Sequence, residues 1–302
     1  MINELEYRTE DRFGAVRVLH ADKDVQQKNA WHLASVSGNA LPPISTLGAA
    51  TFGLPGKGYH GTQVGAREIE ATLYADGADA GGLRYMLDEV PQLLSAGDDR
   101  LGLLRLTNDA GDIFRIKAKC TELNPDKLKS RTGIFSAVFD CPYPYFESDT
   151  LFREQIIAVE GGKEYPLDRP YTFGNVQPST TTSYTVYCNN PGDAPAPCVI
   201  KIYGSGISYV RIYNHETNKN IYIENMSVAN MEISTDPDNL YSIYGTTSSS
   251  GLDATKYIRP GYPISEFTIS PGVNKLSVVV TASNIEPAGT CIEWRGRFSA
   301  CL

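Results

Sequence analysis

Four methionines, four histidines and two tryptophans are few for 302 residues, and the scarcity limits the chemistry available. His215-Glu216 opens like a zinc-protease helix, but Lys219 stands where the second histidine is required, in a turn-like context. The six cysteines (Cys120, Cys141, Cys188, Cys198, Cys291, Cys301) make no Cys-x-x-Cys pair, and none lies near a histidine at zinc-ligand spacing. They read as free thiols of a reducing compartment, with Cys188 and Cys198 bracketing a turn across which they could face each other. No Gly-x-Ser-x-Gly elbow is present to seat a hydrolase nucleophile. The glycine-rich run from Gly53 to Gly61 lacks the phosphate-loop spacing and has no Ser or Thr after Lys57, so it reads as a loop that is either mobile or ordered by a partner. Asp236-Pro237-Asp238-Asn239 has no downstream glycine and glutamate at calcium-loop spacing and reads as a turn. The sequence therefore implies no metal, no cofactor and no catalytic residues.

Basic charge is also short. Lys plus Arg number 27 against 35 Asp plus Glu, a net charge of −8, which excludes a nucleic-acid grip built on a globally basic surface. No apolar run approaches the ~18 residues of a membrane span. The opening Met1-Ile2-Asn3-Glu4-Leu5-Glu6 is acidic where a signal peptide is basic, so neither membrane nor export is expected. What is abundant is Gly 27, Pro 18 and Tyr 18, with 41% hydrophobic residues: a chain of strands and turns with a real core, not a helical bundle. The length suits about two domains at ~150 residues each.

Within the first half, Ile69, Ala71 and Leu73 alternate with Glu68, Glu70 and Thr72, the period of a half-buried strand over 66–74. Leu83, Leu87, Val90 and Leu94 form one helical face, with a kink or restart expected at Pro91. Residues 101–107 and 113–123 flank Asn108-Asp109-Ala110-Gly111, a hairpin signal, and 134–140 supplies another strand. This order predicts a small barrel or split sheet with the helix on one side. Gly161-Gly162, Pro166, Pro170 and Gly174 mark 147–177 as a linker or arm. Beyond it, eight short runs (183–189, 198–204, 210–214, 220–224, 231–234, 241–243, 266–269 and 275–282) are separated by turns, which predicts a β-sandwich.

Two surface features stand out. Arg115, Lys117 and Lys119 crowd one strand face, followed by Lys127, Lys129 and Arg131 against only Glu122 and Asp126. They are either a solvated face or a contact for an acidic surface in an oligomer. Cys141-Pro142-Tyr143-Pro144-Tyr145-Phe146 closes the first domain; its prolines forbid helix and its aromatics need cover, so it belongs at an interface.

The chain resembles the distal tail protein family of long-tailed, non-contractile bacteriophages. The resemblance rests on Arg67-Glu68-Ile69, the helix over 83–94, the strands around Asn108-Asp109-Ala110-Gly111 and the boundary Phe139-Asp140-Cys141-Pro142-Tyr143-Pro144-Tyr145-Phe146. It continues through Asn189-Asn190-Pro191-Gly192-Asp193-Ala194-Pro195-Ala196-Pro197 and Ser270-Pro271-Gly272-Val273-Asn274, covering roughly 60–300. It implies a mainly β chain with a tail-tube-like, ring-forming split barrel with one helix (1–146), a linker (147–177) and a galectin-like β-sandwich (178–302). Six copies would form a homo-hexameric ring in the virion, assembled in the host cytoplasm. The ring would join the tail tube protein to the tail-tip hub protein, with a receptor-binding protein as a further partner in some relatives. DNA would cross its channel unheld, and the acidic net charge suits such a conduit. Arg115, Lys117, Lys119, Pro142, Tyr143, Pro144, Tyr145 and Phe146 are the expected interface residues. The alternative is a carbohydrate-binding module for wall glycans: 12 of the 18 tyrosines lie after residue 150, and sugars stack on exposed rings.

Overall fold

The structure, a computed structural model, describes residues 1–10, 16–23, 28–50, 57–94, 101–156, 180–237, 243–246, 251–286 and 289–302. Strand makes up 64% and helix 8%, the mainly β class expected from the sequence. The chain forms two compact units, Met1–Asp149 with Phe298–Leu302, and Thr150–Arg297.

The first unit contains β1 (Ile2–Glu10), β2 (Val16–Asp22), β3 (Ala30–Ser37), β4 (Ile44–Ala50), β5 (Lys57–Val64), β6 (Arg67–Asp76), α1 (Ala80–Leu94), β7 (Gly102–Asn108), β8 (Ile113–Leu128), β9 (Thr132–Cys141) and β10 (Phe146–Ser148). Seven strands run in the order β8-β7-β1-β2-β3-β6-β9, and β9 pairs back onto β8 to close a barrel. Closure removes the sheet edges that would otherwise template aggregation. The alternation read in β6 holds: Ile69, Ala71, Leu73 and Ala75 point inward and are at most 1% exposed. Tyr7 is also inside. Its hydroxyl accepts the Cys120 N–H at 3.1 Å, and its ring meets Phe139 edge-on, so a polar tip is satisfied within an apolar barrel.

Asp79 caps the helix, its Oδ1 accepting the Gly82 N–H at 2.8 Å. Leu83 and Met86 enter the barrel core, and Leu87 packs against it. The expected interruption at Pro91 does not occur: the helix is a single span to Leu94. Pro91 sits in its last turn, where the missing N–H costs only one ladder bond. At the 108–111 turn, Asn108 Oδ1 accepts from the N–H groups of Ala110 (3.0 Å) and Asp112 (2.9 Å), and Gly111 supplies a positive φ of 85°.

The second unit contains β11 (Phe152–Gln155), β12 (Thr180–Asn190), β13 (Cys198–Ile202), β14 (Gly204–Ser205), β15 (Ile207–Asn214), β16 (Lys219–Val228), β17 (Asn230–Ser234), β18 (Ile243–Thr246), β19 (Gly251–Asp253), β20 (Gly272–Ala282), β21 (Asn284–Ile285) and β22 (Cys291–Trp294). A six-stranded sheet, β11-β22-β13-β17-β18-β19, and a four-stranded sheet, β12-β20-β15-β16, share one apolar core. This is the expected sandwich. Ile200, Ile212, Ile223, Ile233, Val278, Val280 and Ile292 are fully buried in it.

Buried asparagines hold the sandwich's turns. Asn190 Nδ2 donates to the carbonyls of Ala194 (2.8 Å) and Ile269 (3.1 Å). Asn274 Nδ2 donates to those of Ser270 (2.7 Å) and Gly272 (3.0 Å), while Asn214 Nδ2 donates to Thr268 O (2.9 Å) and Asn274 Oδ1 (3.2 Å). The strand expected over 266–269 is replaced by a 3-10 turn at Ile264–Glu266 and a single bridge from Ile269 to Ala196. Pro263 and Pro271 bracket that segment and remove the donors a continuous ladder would need.

Of the residues read as linker or arm, β10 and β11 take up part and 157–177 lie outside the described residues, as do Asp238 and Asn239. The glycine-rich run is described only from Lys57, where β5 begins, and not as a loop there. Phe298–Leu302, whose packing the sequence leaves open, belong to the barrel unit. The six cysteines are free and buried, Cys188 and Cys198 included.

Candidate assembly surface

On β8, Ile116, Ala118 and Cys120 point into the barrel and Arg115, Lys117 and Lys119 point out. Register places His20, Glu6, Arg105, Arg115 and Glu147 in one row across β2, β1, β7, β8 and β10. Arg115 Nη2 meets Glu147 Oε2 at 3.0 Å. Arg105 binds Glu6 at 3.3 Å and Asp149 at 2.9 Å, and His20 Nε2 lies 2.8 Å from Glu4. Burial disfavours the Arg105 charge, but the two carboxylates outweigh it and raise its pKa. Lys119 stands opposite Asp140 of β9. Cations that crowd together in the sequence are thus interleaved with carboxylates from other strands, which the linear order could not show.

The motif ending the first domain divides by burial. Pro142 is exposed, Tyr143, Pro144 and Tyr145 are half-buried, and Phe146 is fully buried in the barrel core. Phe146 therefore lies beneath this segment, in the barrel core. Over its ring, 4.4 Å from the centroid, sits the guanidinium of Arg67, itself only 2% exposed. Arg67 Nη1 donates to the carbonyls of Gly38 (3.2 Å) and Ala40 (2.9 Å), and Nη2 to that of Ser299 (2.6 Å). Burial lowers its pKa, countered by the neighbouring Cys141 and Cys301. Asn39 adds two bonds to Cys301, its carbonyl accepting at 2.9 Å and its Nδ2 donating at 2.6 Å, and Asn108 Nδ2 donates to Leu302 O at 3.1 Å. The chain terminus is thereby built into the barrel unit. Sequence reasoning did not assign this role to Arg67, yet the signal was present: Arg67 lies in phase with Ile69, Ala71 and Leu73, on the inward side of the alternation.

The β4–β5 hairpin forms a two-stranded sheet of its own. Leu41, Ile44 and Leu47 are 69%, 58% and 45% exposed at its base and first strand. Two strands alone are marginal in water, so such a hairpin is a natural element to be completed by a partner. Among the described residues, no group of three or more His, Cys, Asp or Glu gathers at metal-binding distance, and no helix is long and apolar enough to cross a membrane. Burial pushes the thiols of Cys120, Cys141, Cys198 and Cys301 up to about 12, away from the range of a reactive thiolate.

Neither a protein-family profile nor a curated protein sequence matches the chain. Solved structures do. The crystal structure of the SPP1 Dit protein, described as a paradigm of the hub adsorption apparatus in phages infecting Gram-positive bacteria, superposes with a TM-score of 0.60 at 13% identity over 89% of this chain and 93% of that one. A chain of the phage p2 baseplate in its activated conformation with strontium gives 0.53 at 13% identity, covering 98% of both chains. Its counterpart with calcium gives 0.52 at 14% identity over 99% and 98%. The chain has the fold of these phage hub and baseplate proteins, across both of its units.

Proposed function

We propose that this chain is a structural phage tail-tip protein, forming a hexameric ring that connects the tail tube to the tail-tip hub and host-adhesion apparatus. The observation that carries this reading is the likeness to hub and baseplate chains over 89% or more of this chain, which takes in barrel and sandwich together. In this reading the barrel unit makes the ring and the sandwich adds a second module. DNA passes through the channel without specific binding, consistent with a net charge of −8. The protein acts by assembly, not catalysis, in the virion after assembly in the host cytoplasm.

The β4–β5 hairpin, Arg115, Lys117, Lys119 and the 142–145 segment are the surfaces proposed for contacts with neighbouring copies, the tube protein, the hub protein and a receptor-binding protein. Light scattering and negative-stain averaging of the purified protein test the ring. The expected species is near six times the 33.0 kDa subunit, with six-fold symmetry and a central hole. A protein that stays monomeric at high concentration, and forms no ring when mixed with tube and hub proteins, defeats the proposal.

A further inference from the structure

We propose that the outer face of the four-stranded sheet β12-β20-β15-β16 is a binding surface for an acidic oligosaccharide. This rests on the sandwich alone and is independent of the ring. Register sets four rows on that face: Tyr187 beside Lys275; Thr185, Ser277, Tyr213, Asn220; Ser183, Val279, Arg211, Tyr222; and Thr181, Thr281, Tyr209, Glu224. Rows two residues apart are ~7 Å from one another, so the face runs ~20 Å along the strands. Its β12–β20 half carries short hydroxyl side chains, and its β15–β16 half carries tyrosines. Short residues beside rings make a shallow step, with donors and acceptors along the floor and aromatic surface on the wall.

Neighbouring side chains hold the rings in place. Tyr222 is stacked on Tyr262 (5.7 Å), meets Tyr209 edge-on (5.2 Å) and lies under the Arg259 guanidinium (4.9 Å). Tyr213 packs against His215 at 4.7 Å and donates its hydroxyl to Asn218 Oδ1 at 2.6 Å. Tyr187 is 60% exposed. Such rings offer a ligand pre-ordered surface at little entropic cost.

The chemistry of the face selects the ligand. Val279 is the one aliphatic side chain in the four rows, so there is no apolar centre of the kind a protein partner buries. Rings plus Ser, Thr and Asn suit the CH faces and hydroxyls of a sugar chain. The charge points to an acidic one. Among the described residues Arg211 bonds only the neutral Asn220 Oδ1, through Nε and Nη2 at 3.4 Å each, and Lys275 makes no ion pair. Glu224 is the one carboxylate in the rows, and nearby Glu266 is taken by Lys219. A guanidinium fork between tyrosines is matched to a uronate or a phosphodiester.

The full-length protein should be tested on an array of bacterial-surface oligosaccharides with neutral, uronate-bearing and phosphate-bearing members, with titration calorimetry on those bound. Acidic members are expected to bind, and Arg211→Gln should weaken them about tenfold, the worth of one charge-assisted contact. Tyr187→Ala should weaken them several-fold, while Tyr85→Ala on α1 of the barrel should leave them unchanged. Arg211→Gln and Tyr187→Ala alter exposed positions, and an unshifted thermal transition verifies that the variants fold. No binding to any member, equal binding of neutral members, indifference to both sandwich variants, or equally tight binding of a single-stranded oligodeoxynucleotide would each overturn the assignment.

Discussion

The barrel and the sandwich solve the same problem, finishing a β-core with polar groups, by opposite routes. The sandwich uses asparagines that close their own turns as well as bridging to other strands: Asn274 returns to Ser270 and Asn190 to Ala194, each four residues away. The barrel uses one buried cation whose partners come from 38–40 and, 232 residues on, from Ser299. Short-range closure can form as soon as its segment exists. The barrel's closure waits for the far end of the chain, which costs loop entropy and time. The two tryptophans fall one in each unit, so the units can be followed separately. Trp31 packs edge-on against Phe135 in the barrel at 5.2 Å, and Trp294 donates Nε1–H to Asn189 O in the sandwich at 3.2 Å.

The strongest way to break the contrast is Arg67→Ala. It leaves three carbonyls without their buried donor and a void above Phe146, a loss on the order of 4 kcal/mol. In urea unfolding of single-tryptophan versions, the Trp31 transition should move to much lower denaturant and the Trp294 transition should hold. Arg67→Lys should recover only part, because an ammonium keeps the charge but not the fork. Equal shifts of both transitions would mean that the units do not unfold separately, and the contrast would fail.

Asn274→Ala is the counterpart in the sandwich. Asn274 is fully buried, donates to two carbonyls and accepts from the Ser270 N–H at 2.9 Å and its hydroxyl at 2.7 Å. Losing these should cost about 3 kcal/mol. The shift should now appear at Trp294 and spare Trp31.

The same contrast explains what the sequence made legible. The sandwich's strands alternate cleanly, as in β20, where Leu276, Val278, Val280 and Ala282 point inward, and its turns announce themselves through Asn, Pro and Gly. Strands β1 to β3 gave no such signal. A register shift between Ile2 and Glu4 breaks the alternation of β1. In β2 the apolar Val16 and Val18 face outward at 44% and 49% exposure, and β3 buries only Leu33. The candidate surface was legible as residue types and not as pairings: Arg115, Lys117 and Lys119 share a face as read, but Glu147, Glu6 and Asp149 come from segments that linear order separates from them.

Alkaline pH should sharpen the comparison by a smaller amount per group. Burial pushes Cys120, Cys141 and Cys301 in the barrel and Cys198 in the sandwich from 9.0 up to about 12, and Cys188 in the sandwich higher still. A folded thiol that keeps its proton while the unfolded one loses it contributes its full stability below pH 9.0, and that contribution falls as pH rises toward the folded value. Each thiol then costs up to about 1.4 kcal/mol per pH unit. With three such groups against two, the barrel's stability should fall more steeply than the sandwich's. Chemical denaturation from pH 8 to 11 measures the two slopes, and Cys301→Ala should flatten the barrel's alone. Parallel slopes would show that the buried thiols do not govern the difference.

Arg115→Gln carries the smallest stability effect and separates fold from assembly. Its partner Glu147 is 3.0 Å away, and glutamine keeps a side-chain donor toward that carboxylate, so the loss should be about 1 kcal/mol. The Trp31 transition should therefore hardly move. Ring mass by light scattering is the second reading of the same sample. A variant that folds as before yet no longer assembles places Arg115 in a contact between copies. A variant that assembles normally confines it to the ladder with Glu147 and leaves the proposed contacts to Lys117, Lys119, the 142–145 segment and the β4–β5 hairpin, whose apolar base at Leu41 and Ile44 has no need of the barrel's charges.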